Sequence, residues 1–398
     1  MLQKRKLLLI IILFLSIVGQ FATEIYLPSM PAMAEYFKVG LNIIQLSITA
    51  YVIGFGFGSL VYGSLSDALG RRPVVIWSMC VGVIGSLICC FMTSPDSLFI
   101  GRFIQGLGLS GSAVVARSII KDISPDQMSM SKLASVLGVA FAAVVACAPI
   151  IGGYIQFYAF WRLNFIVLLI ISILVTGLCW FKLPETNKHR RAVSIKHIIL
   201  DYVEVLTNKE FLLYNLLSTL TLGGIISYQV LSSYLLQIRV GLSPEKFGYT
   251  SMVITLALIV GGVLNSKVVA RRGTETMIRL GCYIFILAGL IYVISGLFDW
   301  VNLWLILLPM VLFTIGASIL YPNASAGAMT LFATQAGTAA SVYAFFQMLG
   351  GGVCSGLISI IKTPNQLPLG LMFIGIGMLG VKLTRVLHNL VQQKTIVI

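Results

Sequence analysis

Apolar runs about twenty residues long recur twelve times along these 398 residues, and that repetition settles the fold class before any motif is considered. A hydrocarbon layer about 30 Å thick is crossed by roughly 20 helical residues, each advancing about 1.5 Å. The runs fall at 7–27, 42–66, 73–93, 97–120, 131–156 and 160–183, then at 210–236, 246–270, 277–297, 302–327, 337–361 and 367–387. Stretches such as LLLIIILFL and IVLLIISILV are unbroken, whereas strands of a membrane barrel would alternate apolar and polar residues. The expected fold is an all-α membrane protein with twelve transmembrane helices. With 58% hydrophobic and 10% charged residues, the chain has too little polar surface to cover a water-soluble body.

The scarce charges report orientation. Of the 27 Lys and Arg, Lys38, Arg162, Arg239, Lys246 and Lys362 fall on one side of the runs, Arg102 falls inside the fourth, and the rest lie on the other side. The basic side faces the cytoplasm, so both termini are expected there. This sorting accounts for the net charge of +14, and no nucleic-acid partner is expected. The apolar stretch behind Lys4, Arg5 and Lys6 is long enough to be a span rather than a cleaved signal. All seven cysteines fall within runs and imply no disulfide framework. The sequence has no phosphate-binding G-x-x-x-x-G-K-[ST] loop, no H-E-x-x-H and no Cys/His cluster, and His189, His197 and His388 lie outside the runs. An enzyme, an ATP-driven pump, a metal site and a cofactor are therefore not expected.

One long polar stretch, Lys182 to Glu210, divides the runs six and six. The expected domains are an N-terminal six-helix bundle at 1–183, a cytoplasmic linker at 184–209 and a C-terminal six-helix bundle at 210–398. Lys188, Arg190, Arg191 and Lys196, with the mixed pattern that follows through Val205, predict a short surface helix in the linker. Arg71-Arg72 lies in the turn between runs two and three, and Arg271-Arg272 lies 200 residues later in the turn between runs eight and nine. The recurrence argues for duplication. Two pseudo-symmetric six-helix bundles imply an axis along the membrane normal and a cavity between the halves.

The turn after run two reads Gly63-Ser64-Leu65-Ser66-Asp67-Ala68-Leu69-Gly70-Arg71-Arg72-Pro73. Its glycines allow a tight turn, and Asp67 with the arginines can bond helix ends or one another. Run four contains Arg102-Phe103-Ile104-Gln105-Gly106, and run five ends Ala146-Cys147-Ala148-Pro149-Ile150-Ile151-Gly152-Gly153. These segments resemble motifs of the major facilitator superfamily, for which the six-plus-six arrangement is already established. The last resembles its antiporter helix-bend motif, with Ala148 in place of the first glycine. Tyr26-Leu27-Pro28 after an acid, Tyr321-Pro322-Asn323-Ala324 and Gly337-Thr338-Ala339-Ala340-Ser341 resemble the bicyclomycin/chloramphenicol-resistance branch of drug:proton antiporters. The resemblance implies a cytoplasmic gate built from Gly63, Asp67, Gly70, Arg71 and Arg72 with Asp122 as a further arginine partner, and a bend at Pro149, Gly152 and Gly153. It also implies a bacterial inner-membrane monomer that exports small amphipathic compounds in exchange for protons. A dedicated exporter of one endogenous metabolite or siderophore is the alternative on the same residues.

A charge at the centre of a membrane helix costs roughly 2.5 to 3.5 kcal/mol on insertion scales, so Glu24 and Arg102 are functional candidates. Glu24 lies about 26 Å of helix beyond Leu7, while run four enters from the opposite side and carries Arg102 about 6 Å below that boundary, so the two share a depth. Ser16, Gln20 and Glu24 recur at four-residue steps on one face. Removal from water favours the neutral acid and a nearby guanidinium favours the carboxylate, so a change in their separation would switch protonation. Glu24 and Arg102 are the expected proton-coupling pair. Gln20, Gln105, Asn215, Gln229, Tyr321, Asn323, Tyr343 and Gln347 supply amide and phenol groups for a largely apolar substrate cavity.

Overall fold

A computed structural model describes residues 2–124, 126–187, 195–332, 335–361 and 364–396. Helices α1 (Leu2–Glu24), α2 (Met30–Phe37), α3 (Leu41–Leu69), α4 (Arg71–Cys90), α5 (Pro95–Ile123), α6 (Gln127–Tyr158) and α7 (Arg162–Lys182) make up its first part. They are followed by α8 (Ile195–Thr207), α9 (Lys209–Ser233), α10 (Pro244–Arg272), α11 (Thr274–Leu297), α12 (Leu303–Thr330), α13 (Ala336–Ile360) and α14 (Leu367–Ile396). Among the described residues there is no strand, and 12 segments are long and apolar enough to cross a membrane. Lys188, Arg190 and Arg191 of the linker lie outside the described residues.

Local chemistry sets the helix starts. Ser94, Asp126, Asn208 and Asn302 each accept, through a side-chain oxygen, a bond from the backbone N–H three residues on, which satisfies one of the donors a helix leaves open at its first turn. The first span does not stop at residue 27. After α1 the chain makes a 3₁₀ turn at Leu27–Ser29 and continues into α2. Pro28 sits at the start of that turn, where its missing N–H leaves no bond unmade.

The chain forms two compact units, residues 1–199 with 244–249 and residues 200–243 with 250–398. The division falls inside α8. Within the first unit α4 packs on α5 and α7, and α1 packs on α5, α6 and α7; in the second, α11 packs on α12 and α14, and α9 packs on α12, α13 and α14. The same pairs of spans thus meet in both units. In α1, Ile11, Leu15, Val18 and Ala22 form the buried stripe, which Ile25 continues just past the helix end, while Ile10 and Phe14 are exposed on the other side. Because lipid tails are as apolar as leucine, such helices hold together by close packing rather than by escape from water. α5 is suited to it: a Cβ added at Gly106 or Gly108 would collide with the backbone of α3 or α4.

The two arginine pairs are not equivalent. Arg71 and Arg72 open α4, whereas Arg271 and Arg272 close α10, where cations oppose the negative end of the helix dipole. What recurs is the glycine at each turn, Gly70 at φ 107° and Gly273 at φ 77°.

Candidate functional site

Three groups of residues in the first unit carry the unusual chemistry. The first surrounds Arg102, which is completely buried. Its Nη1 donates to the Ala22 carbonyl at 3.0 Å and to Gln105 Oε1 at 2.5 Å. Its guanidinium carbon lies 4.4 Å from the centre of the Tyr26 ring and 4.2 Å from that of Tyr51. Cation–π contacts of this kind are worth about 2 kcal/mol or more when desolvated. Each ring is fixed at its hydroxyl, Tyr51 donating to the Gly19 carbonyl at 2.7 Å and Tyr26 bonding Ser47 at 3.0 Å. Among the described residues, Nε and Nη2 of Arg102 have no hydrogen-bond partner.

Glu24 closes α1 one short turn away and is 2% exposed. Gln20 donates to its Oε1 at 2.8 Å, so the four-residue step seen in the sequence is a real contact. Ser16, on the same face, turns back to the Ile12 carbonyl. Arg102 reaches this helix end through the Ala22 carbonyl, and its Nη1 bonds go there and to Gln105 rather than to the Glu24 carboxylate. Gln105, expected in a cavity wall, is instead fully buried behind Arg102, with its amide nitrogen committed to Ser86 at 2.8 Å. The tyrosine cage was not legible, although aromatic residues at the depth of a buried cation were the available signal.

The second group lies where α3 meets α4. Arg71 donates from Nη1 to Asp67 at 2.5 Å and Ser66 at 2.8 Å, and from Nε to Asp122 at 3.0 Å. Arg71 is therefore held by two carboxylates from different helices. Gly63 contributes its carbonyl to the Ser66 hydroxyl, and Arg72 donates to the Trp180 carbonyl. Three linker residues complete the cluster, and sequence reasoning missed them. Glu185 accepts from the backbone N–H of Arg71 at 2.9 Å and of Arg72 at 3.2 Å, placing a carboxylate on the positive end of α4. Thr186 donates to Asp122, and Asn187 donates to the Asp67 carbonyl at the end of α3. Gly70 is required twice: its φ of 107° suits only glycine, and an added Cβ would strike the Glu185 carboxylate. Glu185→Ala is expected to lower unfolding stability by about 1 kcal/mol, the usual loss on removing a helix cap. A smaller drop for Glu185→Gln, read by thermal unfolding of purified protein, checks that the effect comes from the cap.

The third group is the stretch around Pro149 inside α6. A Cβ on Gly152 would overlap the carbonyl of Ile25, immediately after Glu24, and one on Gly153 would strike the carbonyl of Pro244. Residues 244–249 belong to this unit, and Tyr154 and Tyr249 bond through their hydroxyls at 2.8 Å.

In the second unit, Tyr321 donates to Gln347 Oε1 at 3.2 Å and Tyr343 to Ser218 at 2.5 Å. Asn215 and Gln347 are buried, and Gln229 is half-buried. Asn323, expected to face substrate, instead spends its amide nitrogen on Asn265 and the Ile319 carbonyl, each at 2.7 Å, tying α12 to α10.

Comparison with known proteins fits this geometry. The chain is 28% identical to the bicyclomycin resistance protein homolog of Haemophilus influenzae, over 89% of each protein. It is 29% identical to multidrug resistance protein D of Escherichia coli, over 95% of this chain and 94% of that one, and 27% identical to the chloramphenicol resistance protein of Pseudomonas aeruginosa, over 87% and 82%. In fold it resembles the xylose transporter XylE of E. coli, with a TM-score of 0.73 over 94% of this chain and 95% of that one at 14% identity. The human organic anion transporter MFSD10 is similar with a TM-score of 0.72, covering 95% and 99% at 16% identity. With twelve spans, the recurring helix pairings and a match to the family model across residues 11–355, this chain belongs to the major facilitator superfamily.

Proposed function

We propose that the protein is a proton-coupled efflux transporter of the bacterial inner membrane, exporting small amphipathic compounds by alternating access with both termini in the cytoplasm. The observation that carries this reading is the buried Glu24 carboxylate, held by Gln20 at a helix end that a buried arginine also grips. An acid at that depth can take a proton from one side and release it to the other, and competition with substrate for the same state couples the two fluxes. The names of the relatives, which refer to bicyclomycin, chloramphenicol and multidrug resistance, support drugs as the cargo. Each inward proton is driven by about 2.3 kcal/mol per 100 mV, enough to concentrate a neutral compound roughly fiftyfold. The Arg71 cluster is the cytoplasmic gate in this scheme, and the Pro149–Gly153 stretch is the segment that shifts against α1 and the first turns of α10. The protein acts as a monomer in this scheme.

Everted membrane vesicles test the reading. Energised vesicles containing the protein are expected to accumulate chloramphenicol or bicyclomycin above vesicles lacking it, and a protonophore should abolish the difference. Accumulation that survives collapse of the proton gradient, or none for any compound in a broad panel, would overturn it.

A further inference from the structure

The first turns of α7 hold the stretch of chain that follows Glu24. Arg162 donates to the Tyr36 hydroxyl of α2 at 3.0 Å, with its guanidinium carbon 4.7 Å from the centre of that ring. Phe165 packs on Tyr26, ring centres 5.5 Å apart, and Val167 packs on the cluster of Ile25, Val144 and Ala148. Asn164, between Arg162 and Phe165, donates from Nδ2 to the Ser29 hydroxyl oxygen at 2.8 Å and to the Gly152 carbonyl at 3.5 Å. One side chain of α7 thus reaches both the 3₁₀ turn that follows α1 and the α6 residue on which an added Cβ would overlap the Ile25 carbonyl.

Packing does not account for an amide at this position. Asn164 is completely buried, and its Oδ1 has no hydrogen-bond partner among the described residues. An asparagine in the first turn of a helix ordinarily serves that helix's own backbone, yet both bonds of Asn164 go to other segments. A leucine would fill the same space without stranding an acceptor. The amide's orientation is fixed by its partner: a carbonyl only accepts, so nitrogen rather than oxygen faces Gly152. What the amide supplies, and an apolar residue would not, is a pair of donor arms joining the turn after α1 to α6. Glu24 is the last residue of α1, and Ile25 beside it lies against Gly152, so a turn tied at Ser29 and a helix tied at Gly152 fix the depth of the acid.

We propose that Asn164 is a positioning residue for proton coupling: it ties the end of α1 to α6 so that the Glu24 carboxylate meets one side of the membrane at a time. This rests on the efflux reading and on Glu24 as the proton carrier. Without the tie, substrate still crosses, but protons pass without driving it.

The test compares wild type with Asn164→Leu, which keeps the side-chain volume and removes the donor, in proteoliposomes with chloramphenicol as the probe. Two rates are read on the same preparation: export driven by an imposed pH gradient, and downhill exchange without one. A packing role lowers both together, whereas a positioning role lowers their ratio. The expected ratio is about tenfold below wild type, with downhill exchange changed by less than about twofold, as befits the loss of one buried hydrogen bond. Ser29→Ala, which removes the acceptor and leaves Asn164 in place, should lower the ratio about threefold, and it decides the matter if the Leu variant does not assemble. The double variant should be no worse than Asn164→Leu alone, because two residues that share one bond do not add. Equal loss of both rates, an unchanged ratio, or additive effects of the two substitutions would each overturn the assignment. If wild type shows no gradient-driven export of chloramphenicol or bicyclomycin, the efflux reading itself falls and this assignment with it.

Discussion

Glu24→Gln is expected to abolish export driven by a pH gradient while leaving the fold and downhill exchange of substrate intact. The expectation follows from what the substitution preserves. A glutamine at residue 24 is the same size and can still accept, through its amide oxygen, the bond that Gln20 donates at 2.8 Å. What it cannot do is gain and lose a proton. At 100 mV a one-for-one exchanger holds roughly a fiftyfold gradient, and the variant should hold none. Substrate added to energised vesicles should also stop discharging the pH gradient, which a pH-sensitive dye reads directly. Glu24→Asp, retaining the acid on a shorter stem, should recover part of the coupled transport. If the Gln variant concentrates substrate as well as wild type, the proton is carried elsewhere and the mechanism proposed here is wrong. If it loses downhill exchange too, Glu24 serves substrate binding or packing rather than coupling.

The residues behind that prediction were legible for a simple reason: charges are so scarce in an apolar chain that each one in a span must be explained. Glu24 and Arg102 stand out in the sequence on that ground, while Asp67, Arg71 and Asp122 lie outside the runs and are named only by the resemblance of the turn motif; the structure brings the last three together and puts the first two at one end of α1. Neutral polar residues carry no such signal. Nothing in the sequence separates Gln347, with an unmatched nitrogen, from Asn323 and Gln105, whose amides are used up tying helices and a buried arginine in place. The difference lies in which residue of a neighbouring helix stands opposite, and helical period does not supply that. Glu185 was hidden for another reason: a lone acid at the start of a polar linker looks solvated, and the N–H groups it caps are 114 and 113 residues earlier. Tyr26 and Tyr51 were visible as aromatic residues, but which ring faces of the spans turn toward Arg102 depends on the packing of α1, α3 and α5.

Gly152→Val should eliminate transport without preventing insertion into the membrane, because Gly152 is where α6 meets the backbone just past the end of α1, at Ile25 beside Glu24. Even one added carbon overlaps the carbonyl of Ile25, and backbone cannot rotate aside as a side chain can. The two helices must part, and overpacking of this kind typically costs about 1–3 kcal/mol. A twelve-span protein can absorb that and remain assembled, but the displaced end of α1 carries Glu24 and the Ala22 carbonyl that Arg102 holds. Loss of register there should remove coupled export and downhill exchange together, in contrast to Glu24→Gln. Gly138 provides the control on the same helix: no atom lies within 4 Å of a Cβ added there, so Gly138→Val should retain near-normal export. The readout is vesicle uptake normalised to the amount of protein in the membrane. Transport retained by Gly152→Val would mean that α6 can separate from α1 without moving the acid. The close approach would then be a packing detail, and the helix-bend motif would have to act through Gly153 and its contact with Pro244 instead.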